Sequence, residues 1–262
     1  MIASESVACT SLDFELARDV LPGEAVIVTH DGALESKVCC ASTTLTPCIF
    51  EFVYFARPDS IIDTISVHKA RCRMGQALGR QILSKLSLLD IDVVVCIPDS
   101  GRTAALELAR EIGVPYEEGF VKNKYIQRTF IMPTNRARVA SIRKKLNPIA
   151  HVFKNKSVLI VDDSIVRGNT VREAIRLARR ENAKKVFFAS AAPPIRYPNV
   201  YGIDLPSPTE YVAYNRTIAQ IREHLGLDGL FYQRLDDLIG ACIEPESTTN
   251  FECSCFTNRY IT

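Results

Sequence analysis

Two stretches of the chain are apolar at every position, Val93 to Ile97 and Val158 to Val161, and this pattern predicts parallel strands covered on both faces. Each is followed by a short polar loop and then by apolar residues at helical spacing. Ala104 to Ile112 follows the first, and Val171, Ala174, Ile175 and Ala178 follow the second. Lys184 to Ala191 supplies a further strand. Ahead of these units, Met74, Leu78, Ile82 and Leu86 share one helical face, and Ile218, Ile221 and Leu225 share another near the end. Strand-loop-helix units that share one sheet predict a doubly wound, mostly parallel α/β domain. Phe50 to Ser60 reads as an aromatic strand ended by Arg57-Pro58, and Ser60 with Asp63 reads as a helix start. Thr170 and Glu173 make the T-x-x-E pattern of a capping box. Residues 1–48 hold a strand-like piece, Ala25 to Thr29, between the turn signals Pro22-Gly23 and Asp31-Gly32, and are too sparsely apolar for an independent domain.

The second apolar run ends in Asp162 and Asp163. The carboxyl end of a buried parallel strand is where open α/β sheets hold ligands, because the loops there carry no packing duty. Gly168 permits a backbone conformation or a close ligand approach that a Cβ would forbid, and the helix start behind it offers unpaired amides to an anion. Acids on one side and an anion cradle on the other suit a ligand with hydroxyls or a metal at one end and a phosphate at the other. A receiver-type acid pocket, a Walker B strand and a solvated strand end are the competing readings of the acid pair. No G-x-x-x-x-G-K-[ST] loop exists in the chain, which weakens the second. The loop Pro98 to Arg102, PDSGR, has the composition of an ordinary βα turn, yet as the end of a second strand-loop-helix unit it would sit at the same sheet edge as Asp162. There Ser100 offers an oxygen near a metal and Arg102 a planar bidentate contact for a charged leaving group.

Composition narrows the classes. At 262 residues, 47% hydrophobic, 24% charged and net charge +2, the chain has the balance of a soluble globular protein and no call for nucleic acid. The basic cluster Arg136, Arg138, Arg143, Lys144 and Lys145 is local, as a solvated or phosphate-facing loop would be. No apolar run is long enough to span a membrane and no signal peptide follows Met1, so a cytoplasmic location is expected. Nine cysteines without a secretory context are expected to be reduced. Phe120 to Pro148 is basic and poorly periodic, which suits a lid.

The stretch VDDSIVRGNT, Val161 to Thr170, resembles the phosphoribosylpyrophosphate (PRPP) motif of type I phosphoribosyltransferases, and within them the glutamine amidophosphoribosyltransferases. The resemblance covers nearly the whole chain. It implies a type I phosphoribosyltransferase fold with Asp162 and Asp163 on the ribose or on Mg2+, and Ser164, Val166, Arg167, Gly168, Asn169 and Thr170 on the 5-phosphate. Asp99, Ser100, Gly101 and Arg102 would meet pyrophosphate, with Ser100 also near the metal, and Lys122, Tyr125 and Arg128 would act from a closing lid. Asn169 stands where the family usually has threonine, and Lys124 and Gln127 where it has arginine and glycine. The implied reaction joins ammonia to C1 of PRPP and releases pyrophosphate, opening purine synthesis, with homo-oligomerisation and inhibition by purine nucleotides. A PRPP-binding regulator without turnover is the alternative, and a nucleobase phosphoribosyltransferase is a weaker rival because no base-recognition hood is found.

ASES at Ala3 to Ser6 and RDVLPGE at Arg18 to Glu24 resemble the last strands of the family's glutaminase domain, so residues 1–48 are expected to be its remnant and 49–262 the transferase domain. Cys9 cannot serve as an N-terminal nucleophile, which needs its own α-amino group as base, so ammonia but not glutamine is the expected nitrogen source. One branch of the family holds an iron-sulfur cluster on four cysteines. Cys48 and Cys255 fall on two of those positions, Asn199 and Glu252 on the others, and no cluster is expected.

Overall fold

The computed structural model describes residues 1–40, 43–84, 91–123, 146–203, 205 and 207–261. Ten strands are present among them: β1 Glu24–Val28, β2 Leu34–Val38, β3 Ile61–Ile62, β4 Ile65–Ser66, β5 Val93–Cys96, β6 Phe120–Lys122, β7 Leu146–Pro148, β8 Ser157–Asp162, β9 Lys185–Ser190 and β10 Gly229–Tyr232. The sheet that positions the site has the order β10-β9-β8-β5 and every pair in it is parallel. Val95 lies opposite Ile160, and Asp162 opposite Ser190.

The alternation of a parallel strand explains why both faces are apolar. Val93, Val95, Val158, Ile160, Val186 and Phe188 point to one side, where the helices Asn169–Arg180 and Ile218–Leu225 cover them with Val171, Ala174, Ala178, Ile221 and Leu225. Val94, Cys96, Leu159, Val161, Phe187 and Ala189 point to the other, onto Leu78 and Ile82 of the helix Val67–Leu83 and Leu108 and Ile112 of the helix Arg102–Ile112. Those last two helices approach closely through Gly75 and Gly79. A Cβ on Gly75 would lie 2.3 Å from the Ala104 carbonyl oxygen. This contact fixes the start of the Arg102–Ile112 helix, and with it the loop Pro98 to Arg102.

Several expected elements differ. Phe50 to Ser60 is not a strand: Glu51–Phe55 is a π-helical turn whose Phe52 and Val53 are buried. Apolar side chains on nearly every position cannot distinguish a buried strand from a tight helical turn. The helix expected from Ser60 begins at Val67, capped by Ser66, because Asp63 and Thr64 both take positive φ and turn the chain into the β3–β4 hairpin. Ala3 to Ser6 holds no strand. A helix Ser6–Thr10 starts there, and Glu5 accepts from the Arg57 amide at 2.8 Å and the Ser60 hydroxyl at 2.6 Å. Of Arg18 to Glu24, only Glu24 belongs to a strand. The capping box at Thr170 does not form, since the helix starts at Asn169 with Gly168 as N-cap and Glu173 pairs instead with Arg176. Leu86 and the basic cluster 136–145 lie outside the described residues. Among the described residues no helix is long and apolar enough to cross a membrane.

Candidate active site

β5 and β8 are neighbours, so their carboxyl ends bring the loop Pro98 to Arg102 against the acid pair. The approach is tight. A Cβ on Gly101 would lie 2.8 Å from the Val161 carbonyl oxygen and 3.0 Å from Asp162 Cα, so only glycine fits. Asp162 is the last residue of β8, and both aspartates are 7% exposed. The Asp163 amide donates to Asp162 Oδ1 at 2.9 Å, and the Ser164 hydroxyl donates to Asp163 Oδ1 at 2.5 Å. Burial, then the neighbouring Asp163 carboxylate, pushes the Asp162 carboxyl well above the usual range. Burial raises Asp163 as well, while hydrogen bonds from Ser100 and Ser164 and the charge of Arg71 pull against it. Two buried carboxyls are thus held side by side in an environment that disfavours their charge.

Arg71 is the member of this site that sequence reasoning missed. It is 5% exposed, and its Nε and Nη2 donate to the Phe52 carbonyl at 2.9 Å and the Ala56 carbonyl at 2.8 Å. A charged residue inside the apolar stripe Val67, Ala70, Met74 and Leu78 was the available signal. The guanidinium ties the π-helical turn to the acid pair. Arg71→Met would leave two buried carbonyls without a donor, and it is expected to lower the unfolding free energy by about 2 kcal/mol, read by urea titration.

The loop after the acids is anchored at both ends. Ile165 is buried in the core, the Val166 carbonyl accepts from the Val212 amide at 2.8 Å, and Arg167 Nε donates to Glu210 Oε2 at 2.8 Å. Gly168 takes φ +76°, a left-handed conformation that glycine adopts without strain, and the chain there enters the helix. The Arg172 amide closes onto the Gly168 carbonyl at 2.9 Å, and the first-turn amides at Asn169, Thr170 and Val171 have no acceptor within the helix. Lys122 extends from β6 to Asp99, with Nζ 2.8 Å from Oδ2, so the end of β6 reaches the PDSGR loop. Arg102 is held by Glu118, with Nε 3.0 Å from Oε1, and Tyr116 donates to the same carboxylate at 2.9 Å. A ligand reaching Arg102 therefore competes with Glu118. Tyr125 and Arg128 lie outside the described residues.

The donor set at the acid pair is all oxygen: two carboxylates with the Ser100 and Ser164 hydroxyls beside Asp163. Among the described residues no group of three or more His, Cys, Asp or Glu is arranged to hold a metal ion. Magnesium needs no such cage, since it takes one or two carboxylates and completes its shell with water and substrate phosphates, and a pair disfavoured by burial gains from a divalent counter-charge. The residues fit that ion.

A second cluster gathers at the chain's far end. Cys48 pairs in a parallel bridge with Glu252, whose Oε2 accepts from Asn199 Nδ2 at 3.2 Å and whose Oε1 accepts from the Ser254 amide at 2.5 Å. Cys255 lies within reach of the Glu252 charge, and Cys48 packs against the same cluster. Burial pushes the Cys48 thiol up to about 12 and raises Cys255 too, so both are held as thiols. The four positions Cys48, Asn199, Glu252 and Cys255 do meet, as two thiols, a carboxamide and a carboxylate.

A parallel α/β sheet with an acid pair, a helix-start anion cradle and a second polar loop at one edge defines a protein built to hold a phosphorylated, hydroxyl-bearing ligand. Residues 69–201 match the family model described as phosphoribosyl transferase domain, and the chain belongs to that family. It is 54% identical over 263 residues to the amidophosphoribosyltransferase of Pseudomonas aeruginosa and 52% identical over 263 residues to that of Escherichia coli, matching 100% of this chain and 52% of each relative. The Saccharomyces cerevisiae amidophosphoribosyltransferase is 50% identical over 265 residues, again 52% of its length. The chain therefore spans about half the length of the curated relatives it matches. Among solved structures, the glutamine PRPP amidotransferase of B. subtilis complexed with ADP and GMP superposes with a TM-score of 0.83 at 34% identity, over 99% of this chain and 58% of that one. A structure described as the allosteric regulatory enzyme of purine biosynthesis gives 0.85 at 36% identity, over 98% of this chain and 54% of that one. The fold is that of the type I phosphoribosyltransferases.

Proposed function

We propose that the chain transfers the 5-phosphoribosyl group of PRPP to ammonia, giving 5-phosphoribosylamine and pyrophosphate, the first step of purine synthesis. The observation that carries the reading is the packing of Gly101 onto the end of β8, which puts Ser100 beside Asp163 and so joins the two loops into one site. In this reading the first-turn amides behind Gly168, with Asn169 and Thr170, hold the 5-phosphate, and Asp162 and Asp163 orient the ribose hydroxyls. Ser100, Gly101, Arg102 and Lys122 receive the departing pyrophosphate, whose growing charge the two cations match. Magnesium, held by Asp162, Asp163 and Ser100, supplies charge neutralisation for the leaving group. No residue need act as a strong base. Positioning and charge complementarity to an oxocarbenium-like sugar carry the rate, and the segment beyond Lys122, with Tyr125 and Arg128, excludes water that would capture the sugar.

Residues 49–262 are the transferase part in this proposal and 1–48 an adjoining segment from a glutaminase domain. A reducing, cytoplasmic setting suits nine cysteines that are all free thiols. Inhibition by purine nucleotides is proposed from the ADP and GMP in the B. subtilis structure, and a homo-oligomer from the family resemblance. Isothermal titration of PRPP into the chain tests the binding half. Saturable binding that requires magnesium and weakens at least roughly tenfold in Lys122→Met, the loss of about one charge-assisted contact, is expected. Binding indifferent to magnesium, or none to the folded chain, would contradict it.

A further inference from the structure

The two cations that the proposed reaction aims at pyrophosphate are both already paired, and the pairs are reciprocal. Arg102 of the PDSGR loop forks onto Glu118, with Nε 3.0 Å from Oε1 and Nη2 3.3 Å from Oε2, while Lys122 reaches back to Asp99 of the same loop at 2.8 Å. Each segment gives the other one acid and one cation. Glu118 does not owe its place to Arg102. Its segment is laid along β5 by the bonds from the Glu117 amide to the Val94 carbonyl at 3.0 Å and from the Val94 amide to the Pro115 carbonyl at 2.9 Å. A Cβ on Gly119 would lie 2.7 Å from Val95 and 2.9 Å from Phe153, so the next residue is pressed onto the sheet. The carboxylate itself is aimed by Tyr116, whose hydroxyl donates to Oε1 at 2.9 Å and lies 3.2 Å from Cys96 Sγ. Burial, then the Cys96 thiol, push the Tyr116 hydroxyl up, and it stays a donor. Both side chains of the Arg102–Glu118 pair are nearly half exposed, at 46% and 45%, so water and a ligand can reach it.

We propose that Glu118 is an internal competitor for Arg102 and thereby sets how tightly the site retains pyrophosphate. This role, which rests on the proposed transferase reading, belongs to a residue that touches no substrate in that reading. A guanidinium fork offers a carboxylate and a phosphate the same two N–H groups, so the two anions exclude each other at Arg102. Pyrophosphate must break the pair before it gains the contact, and on leaving it returns Arg102 to a partner held in place by Tyr116. An exposed pair holds weakly, so the competition lowers affinity by roughly two- to fivefold without closing the site. Glu118 is thus a positioning residue that acts through the guanidinium.

Isothermal titration of pyrophosphate with magnesium into the full chain, at fixed ionic strength, reads the effect directly. Glu118→Gln keeps the size and an acceptor but loses the charge. It is expected to bind pyrophosphate roughly two- to fivefold more tightly than wild type, with the KM for PRPP lowered and kcat not raised. A merely structural role predicts the opposite sign. Glu117→Gln removes a charge one residue away that pairs with Lys156 at 2.9 Å, and is expected to leave the affinity unchanged. In an Arg102→Gln background the gain from Glu118→Gln is expected to vanish. Tyr116→Phe leaves the carboxylate unaimed and should give a smaller gain, which keeps the claim testable should Glu118→Gln not fold. Unchanged or weaker binding in folded Glu118→Gln, an equal gain in Glu117→Gln, or a gain that survives without Arg102, would overturn the proposal. A wild type that binds no pyrophosphate would contradict the transferase reading itself, and the role of Glu118 would fall with it.

Discussion

Asp162→Asn combined with Asp163→Asn is expected to raise the melting temperature of the metal-free chain at neutral pH while lowering phosphoribosyl transfer by roughly 10²–10³-fold, the range seen when a preorganised electrostatic group is removed. Both carboxyls are buried and both are raised by that burial. The folded state therefore binds protons more tightly than the unfolded chain, whose carboxyls sit near the ordinary aspartate value of 3.8. Below that value both states are protonated and the pair costs nothing. As pH climbs, the unfolded chain ionises first and folding stability falls, until pH passes the raised folded values. Asparagine removes that slope, so the difference between wild type and variant should grow with pH from about 4 upward. A gain of 1 kcal/mol would appear as roughly 2–4 °C in a chain of this size. Magnesium should stabilise the wild type and leave the variant unmoved, and its binding should release protons. Differential scanning fluorimetry across pH, with and without magnesium, reads all of this. A variant less stable than wild type at pH 8 without metal would contradict the assignment of a strained acid pair.

Gly101→Ala is expected to be the most damaging single-methyl change in the site. Its Cβ would meet backbone on three sides: the Val161 oxygen at 2.8 Å, Asp162 Cα at 3.0 Å and the Ile97 oxygen at 3.1 Å. None of these is the far end of a flexible side chain, so the loop or the end of β8 must move. Overpacking of this kind costs about 1–3 kcal/mol. The part that moves carries Asp162 and Asp163, and a displacement near 1 Å at such a position lowers turnover by roughly 10²-fold. Gly240→Ala, in the helix Leu235–Cys242, is the matched control. Its Cβ meets nothing within 4 Å, so stability should hold or rise by up to about 1 kcal/mol. Urea titration and transfer assays on the two variants separate the site from the fold. Wild-type activity in Gly101→Ala would contradict the close packing of the two loops.

The elements that were legible in the sequence are those where several signals agree. Val158 to Val161 is short, mostly β-branched and followed by polar loop residues, which favours a strand buried on both sides, and the placement of Asp162 and Asp163 at its end followed from that. That PDSGR shares a sheet edge with the acid pair followed from the repeated strand-loop-helix pattern. What was hidden depends on backbone signs and on distant partners. Asp63 and Thr64 take positive φ without glycine, so the hairpin that delays the helix to Val67 left no mark in composition. Phe50 to Ala56 is apolar at every position but Glu51, and such a run fits a π-helical turn as well as a strand. Arg71 was visible as a charge on an apolar stripe, yet its acceptors, Phe52 and Ala56, lie in a segment whose fold was misread. The pairing of Arg102 with Glu118 joins the start of a helix to the approach to β6, and no local spacing announces it.

The most direct test of the transferase proposal is pyrophosphate release from PRPP and magnesium by the 262-residue chain, with ammonium chloride or glutamine as the nitrogen source and Asp163→Ala as control. Release with ammonium and loss of release in the control are expected. A soluble, folded chain that binds PRPP yet releases no pyrophosphate with ammonium, or one whose release survives in Asp163→Ala, would contradict it.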